Sequence, residues 1–166
     1  MVGVAILGAG DIANVHIEAY KELAGRCRIV ALADIYTDKA EAKKQKYGLD
    51  CDVVADYKEL LDREDVDLVS VCLPPAAHCG VAVDFLKAGK HVLCEKPMVL
   101  RKAQAEELFG YAKEQGLILM EEIKTAYCPG FQKLLNIACS GNIGSIRNVE
   151  ACFTKLERPD SRELTD

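Results

Sequence analysis

Two short stretches hold the residue types and spacings that can do chemistry. Gly8-Ala9-Gly10-Asp11-Ile12-Ala13 has the G-x-G-x-x-G/A spacing of a loop that receives a pyrophosphate. In such a loop Gly8 permits the tight turn, Gly10 lets a phosphate approach the backbone, and Ala13 is small enough for a helix to pack on a strand. The helix that follows offers free N–H groups and the positive end of its dipole. The second stretch, Glu95-Lys96-Pro97, sets a carboxylate, an amine and a proline directly after the apolar run His91 to Cys94. An amine at the carboxyl end of a buried strand sits where open α/β sheets bind their ligands.

By itself the glycine spacing also fits an ordinary tight turn, so its position matters. It lies between a strand-like run, Val2 to Leu7, and a helix expected over about Ile12 to Leu23. Asp34 follows roughly 20 residues further on, at the end of a second strand from Ile29 to Ala33. There a carboxylate accepts hydrogen bonds from the adenosine ribose hydroxyls; the alternative is an N-cap for the next helix. Asp34 would repel a 2′-phosphate, and Ile35-Tyr36-Thr37 brings no arginine, so the expected cofactor is NAD rather than NADP. Asp11 places a charge near the pyrophosphate unless it caps the helix, and the cap is the favoured reading. His16, one turn on, reads as a packed helix residue.

The remaining elements continue the alternation. A helix is expected over Asp38 to Tyr47, a minimal strand at Val53-Val54, and a short helix opened by Asp56 and Glu59 in a capping-box pattern. Leu68 to Leu73 is apolar except for Ser70, as in a strand buried on both faces. Pro75 opens a helix to Ala88, His91 to Cys94 is the fifth strand, Lys102 to Gln115 an amphipathic helix, and Leu117 to Met120 the sixth strand. Strands alternating with helices predict an α/β fold, a doubly wound parallel sheet of the Rossmann type, over residues 1–122. Residues 123–166 change character: a helix over Pro129 to Cys139, then alternation of Val149, Ala151 and Phe153 with Glu150, Cys152 and Thr154 that predicts a strand. These read as the start of a second α/β domain.

With 166 residues, 50% of them apolar, the chain can bury a substantial core. A net charge of -5 argues against nucleic acid as a partner. No apolar run reaches the roughly 18 residues of a membrane span, and the N-terminus lacks the features of a signal peptide, so a cytoplasmic protein is expected. Eight cysteines, Cys27, Cys51, Cys72, Cys79, Cys94, Cys128, Cys139 and Cys152, contain no C-x-x-C pair. Buried, reduced thiols are the expectation, with no metal site.

Taken in order, the glycine fingerprint, Asp34, Pro74-Pro75-Ala76-Ala77-His78 and Glu95-Lys96-Pro97 resemble the Gfo/Idh/MocA oxidoreductases, which include glucose-fructose oxidoreductase and inositol dehydrogenase. The E-K-P segment after strand five is that family's own mark. The resemblance covers almost the whole chain. It implies an N-terminal NAD-binding Rossmann domain followed by an α/β domain that supplies substrate contacts and often a homo-oligomer interface. It also implies hydride transfer between nicotinamide and a hydroxyl or carbonyl carbon of a sugar, cyclitol or related small molecule.

Residue by residue, the resemblance puts Lys96 beside the nicotinamide and the substrate hydroxyl, as the catalytic residue. Glu95 is its cofactor-side neighbour, and Leu73, Pro74 and His78 border the nicotinamide ribose. The expected cofactor-binding set is therefore Gly8, Gly10, Asp11, Ile12, Ala13, Asp34, Ile35, Leu73, Pro74, His78, Glu95 and Lys96. Leu73 and Pro75 depart from the family's T-P-x-x-x-H pattern, often with asparagine after the proline, which removes two polar contacts. Glu121 and Pro129 resemble the crossing into the second domain, and Gly141-Asn142-Ile143-Gly144 the entry to its first strand. Ala126-Tyr127 stands where many relatives have an arginine before an aromatic.

A lysine has an ordinary pKa near 10.4, and burial or a nearby cation favours its neutral form. So placed, Lys96 could take the hydroxyl proton in oxidation or return it in reduction; otherwise it is an exposed loop lysine. Relatives add a histidine, often with an aspartate, from the second domain. None of His16, His78 and His91 is placed to replace it, so the 166-residue chain alone is expected to be inactive. Two other readings stay open: an NAD-binding module without turnover, and a redox-cycling glycoside hydrolase or lyase on the same fold.

Overall fold

Strand and helix alternate from the first residues, and a computed structural model describes residues 1–152 and 154. The chain divides into two compact units, Met1–Ile123 and Lys124–Asp166. In the first unit the order is β1 (Val2–Leu7), α1 (Asp11–Glu22), β2 (Cys27–Ala33), α2 (Thr37–Tyr47), β3 (Asp52–Val54), a 3-10 turn (Tyr57–Leu60), β4 (Leu68–Val71), α3 (Pro75–Lys87), β5 (His91–Glu95), α4 (Lys102–Glu114) and β6 (Leu119–Glu122). All strands run parallel in the order β3-β2-β1-β4-β5-β6, the doubly wound Rossmann-type arrangement expected.

Strand side chains alternate between two buried faces. Ala5 and Leu7 point with Val69, Val71, Val92 and Cys94 toward Val81, Phe85 and Leu86 of α3 and Leu108 and Ala112 of α4. Val4, Ile6 and Leu32 pack on the other face against Ala13 and Ile17 of α1 and Ala40 of α2. Because both faces are covered, the strands are apolar at consecutive positions rather than alternately. On β4 the exception, Ser70, is fully buried, and its hydroxyl lies 2.6 Å from the Tyr20 hydroxyl of α1. Burial pushes the Tyr20 phenol up to about 12, so the pair stays neutral.

Three expected elements differ from those observed. The sixth strand starts at Leu119 because the Leu117 N–H donates to Ala112 O at 2.8 Å and the Gly116 N–H to Lys113 O, a Schellman closure of α4. The Asp56–Glu59 capping box is present, but it opens one 3-10 turn rather than an α-helix. Val149 and Ala151 form no strand, and Phe153 and the run 157–166 lie outside the described residues. A strand needs a neighbour for its backbone groups, and none lies among the described residues of this unit. That unit contains α5 (Lys124–Tyr127) and α6 (Pro129–Cys139), whose Phe131, Leu134 and Leu135 are exposed. No helix among the described residues is long and apolar enough to cross a membrane.

The buried hydroxyl pair gives a direct test of the first unit's packing. Tyr20→Phe is expected to destabilise it by about 1–3 kcal/mol, because Ser70 loses its partner in the core. Adding Ser70→Ala should recover most of that loss in chemical denaturation; a double variant whose loss equals the sum of the two single losses would show that the two hydroxyls are not coupled.

Candidate functional site

At the carboxyl edge of the sheet, β1 and β4 are neighbours whose chains leave toward opposite faces, β1 into α1 and β4 into α3. This divergence opens the crevice in which doubly wound sheets hold a ligand. Gly8 turns the chain there with φ +95°, and a Cβ on it would lie 2.5 Å from the Cys72 carbonyl oxygen. Only glycine satisfies both the angle and the approach. At Gly10 a Cβ would meet no protein atom, so the space above that residue is open to a ligand. Ala9 and Ala13 are buried, whereas Ile12 is partly exposed at the start of α1.

Asp11 does not cap α1. Gly10, extended at φ -74° and ψ -172°, occupies the N-cap position, and Asp11 is already the first helical residue with an exposed side chain. A capping side chain must belong to the residue before the helix, because only there does it reach back to the free N–H groups. The Asp11 carboxylate therefore stands at the positive end of the helix dipole, beside the loop.

Asp34 ends β2 and is half-buried. Its Oδ2 accepts the Ala9 N–H at 2.6 Å and its Oδ1 the Tyr36 N–H at 2.8 Å. The carboxylate thus ties the glycine turn to the second strand, and Tyr36 rather than Asp34 is the N-cap of α2. A carboxylate has about four lone-pair sites, so roughly two remain for ribose hydroxyls. Ile35 and Tyr36 are exposed beside it, with the Lys39 ammonium 4.4 Å from the Tyr36 ring centroid. Lys43 of α2 donates to Asn14 Oδ1 of α1 at 2.7 Å. Partial burial and Lys46 lower its pKa, while Asp11 and Asp34 act in the opposite direction.

On the other side of the crevice, Leu73 is half-buried and Pro74 exposed, the latter serving as N-cap of α3. His78 is buried beneath them. Its Nε2 lies 2.6 Å from the Leu73 carbonyl and its Nδ1 2.8 Å from the Pro97 carbonyl. A neutral ring donates to one of these oxygens and an imidazolium to both. Glu95, at the end of β5, is also buried. It accepts from His16 Nε2 at 3.2 Å through Oε1 and from the Lys96 N–H at 3.2 Å through Oε2. Lys96 itself is exposed, and its ammonium has no partner among the described residues. The peptide that follows, Lys96–Pro97, is cis. Glu121 of β6 accepts the Met98 N–H at 2.8 Å and fixes the chain beyond it.

His16 is the residue that the sequence reading missed as part of this site. The signal lay in its stripe: Ala13, His16, Ile17 and Tyr20 share one face of α1, and a histidine facing a core requires a partner. Nothing local marked Glu95 as that partner, because the two are brought together only by α1 crossing the sheet.

The family described as an oxidoreductase family with an NAD-binding Rossmann fold, Gfo/Idh/MocA, matches residues 2–123. The chain belongs to that family. It is 35% identical over 158 residues, 95% of its length, to the dTDP-3,4-didehydro-2,6-dideoxy-alpha-D-glucose 3-reductase of Actinomadura kijaniata, covering 47% of that protein. To the inositol 2-dehydrogenase of Salmonella typhimurium it is 31% identical over 140 residues, 84% of this chain and 42% of the relative. Among solved structures, the 3-ketoreductase KijD10 of Actinomadura kijaniata in complex with NADP superposes with TM-score 0.76 at 36% identity, over 88% of this chain and 46% of that one. An NAD-binding oxidoreductase from Klebsiella pneumoniae gives TM-score 0.77 at 29% identity, over 86% and 40%. The chain spans about half the length of the curated relatives it matches.

The thiols around the crevice are held neutral. Burial, with Glu95 nearby, pushes the Cys72 thiol far up, and burial beside Glu121 pushes Cys94 up to about 12. In the second unit, the Phe131 and Gly130 N–H groups hold the exposed Cys128 thiol below its usual range. A lowered pKa keeps thiolate present at lower pH, and thiolate is the reactive form. At about pH 8, iodoacetamide is therefore expected to modify Cys128 ahead of Cys72 and Cys94 in the folded chain. Mass-spectrometric rates that place Cys72 or Cys94 level with Cys128 would contradict the burial described.

Proposed function

We propose that this chain is the cofactor-binding portion of an NAD-dependent oxidoreductase that moves a hydride between nicotinamide and a hydroxyl or carbonyl carbon of a sugar or cyclitol. The observation that carries the reading is the convergence, on one sheet edge, of the Gly8 turn, the open space at Gly10, the Asp34 carboxylate and the exposed Lys96 amine. The residues fit the dinucleotide. Gly8, Gly10, Asp11, Ile12 and Ala13 would border the pyrophosphate, Asp34 and Ile35 the adenosine ribose, and Leu73, Pro74, Glu95 and Lys96 the nicotinamide end, with His78 supporting that end from below.

When bound, the nicotinamide supplies or accepts the hydride. Lys96 holds the proton account at the substrate oxygen, taking a proton in one direction and returning it in the other. Its exposed amine, free of any carboxylate partner among the described residues, is available for that transfer. NAD is favoured over NADP because the Asp34 charge opposes a 2′-phosphate. Lys43 is the cation best placed to offset it, though its hydrogen bond goes to Asn14. The 3-ketoreductase KijD10 was solved with NADP, so this preference belongs to the residues of this chain. Residues Lys124–Asp166 begin the domain that would supply substrate contacts and a homo-oligomer interface.

In the full-length protein, assayed against sugars and cyclitols with both cofactors, Lys96→Met is expected to lower kcat roughly 10²- to 10⁴-fold. NAD should show the lower KM. Full activity in the variant would remove Lys96 from the chemistry. Tight cofactor binding without turnover of any such substrate, and without NADH release, would support a binding module or a redox-cycling enzyme instead.

A further inference from the structure

The strip Glu95-Lys96-Pro97 is held on both flanks by a buried histidine. On the α1 face, His16 reaches the Glu95 carboxylate, and the same carboxylate holds the Lys96 N–H. On the α3 face, His78 reaches the Pro97 carbonyl and, with its other nitrogen, the Leu73 carbonyl at the end of the neighbouring strand. His16 is 6% exposed, Glu95 8% and His78 1%, so none of these groups has water to replace a lost partner.

The helices that supply the histidines lie on opposite faces of the sheet, and each begins at the crevice, α1 from Gly10 and α3 from Pro74. We propose that His16 and His78 are positioning residues that grip the Lys96 backbone from both faces of the sheet and set the direction in which its amine enters the crevice. An apolar residue would fill either place in the core, but it would remove the histidine partner of the Glu95 carboxylate or of the Leu73 and Pro97 carbonyls. Neither ring touches substrate; each acts through the backbone it holds. A misplacement of about 1 Å at a reacting group costs on the order of 10²-fold in rate, so a grip of this kind has catalytic weight.

The proposal rests on the reading of Lys96 as the proton carrier only for its catalytic consequence; the grip itself is read without turnover. The test is residue-resolved amide hydrogen exchange in the chain, with His16→Leu, His16→Gln and His78→Leu compared with the parent protein. In His16→Leu the Lys96 amide is expected to exchange roughly tenfold faster or more, the equivalent of one lost charge-assisted hydrogen bond, with β1 and β4 amides unchanged. His16→Gln, which keeps a donor, should restore the parent rate, and His78→Leu should accelerate Met98 and Lys96 together. Unchanged Lys96 exchange in both leucine variants overturns the proposal. A uniform rise across β1 and β4, or failure of His16→Gln to protect Lys96, overturns it as well, because the histidines would then serve general stability. In the full-length enzyme, His16→Leu should lower kcat while leaving the KM for cofactor in place; this last result alone depends on Lys96 chemistry.

Discussion

The carboxyl edge of this sheet depends on how closely the Gly8 turn passes the Cys72 carbonyl. With a hypothetical Cβ only 2.5 Å from that oxygen, the turn has no room for any side chain, and its φ of +95° suits none. Because the chain can turn there, β1 and β4 stay adjacent while α1 and α3 leave to opposite faces. The crevice, the exposed start of α1 and the reach of Asp34 to the Ala9 N–H all follow from that passage. A wider turn would push β1 from β4 and separate the glycine loop from the strand that leads to Lys96.

A second layer of the structure consists of buried and half-buried polar groups that link elements distant in sequence. Asp34 joins β2 to the glycine turn, Tyr20 joins α1 to β4, His16 joins α1 to β5, His78 joins α3 to the segment after β5, and Glu121 joins β6 to the same segment. Ser70, His16, Glu95 and His78 are buried, so loss of their bonds would leave a polar group without water. Four of the five end within two residues of a position assigned to cofactor or catalysis. These links therefore tie the sheet edge where geometry matters to chemistry to the rest of the first unit, whose core is formed by the apolar clusters.

Much of this was legible in the chain. The Rossmann-type order follows from alternating apolar runs and helical stripes, and Gly8, Gly10 and Asp34 stand out because strand-turn-helix chemistry requires glycine and an acid at those places. What local pattern could not supply was partnership. His16 read as packing because its partner lies on β5. Asp11 read as a cap because Gly10, which takes the extended geometry, has no side chain to announce it. The strand expected around Val149 needs neighbours outside the described residues, so alternation of side chains was insufficient there.

The central claim is that a dinucleotide lies across the carboxyl edge of this sheet, between the Gly8 turn and Lys96. A titration of the isotope-labelled chain with NAD, followed by amide chemical shifts, tests it most directly. The account predicts shifts at residues 8–13, 34–36, 73–74 and 95–97, with amino-terminal strand ends unmoved and a weaker response to NADP. Shifts confined to other faces of the sheet, or none at saturating NAD, would contradict it.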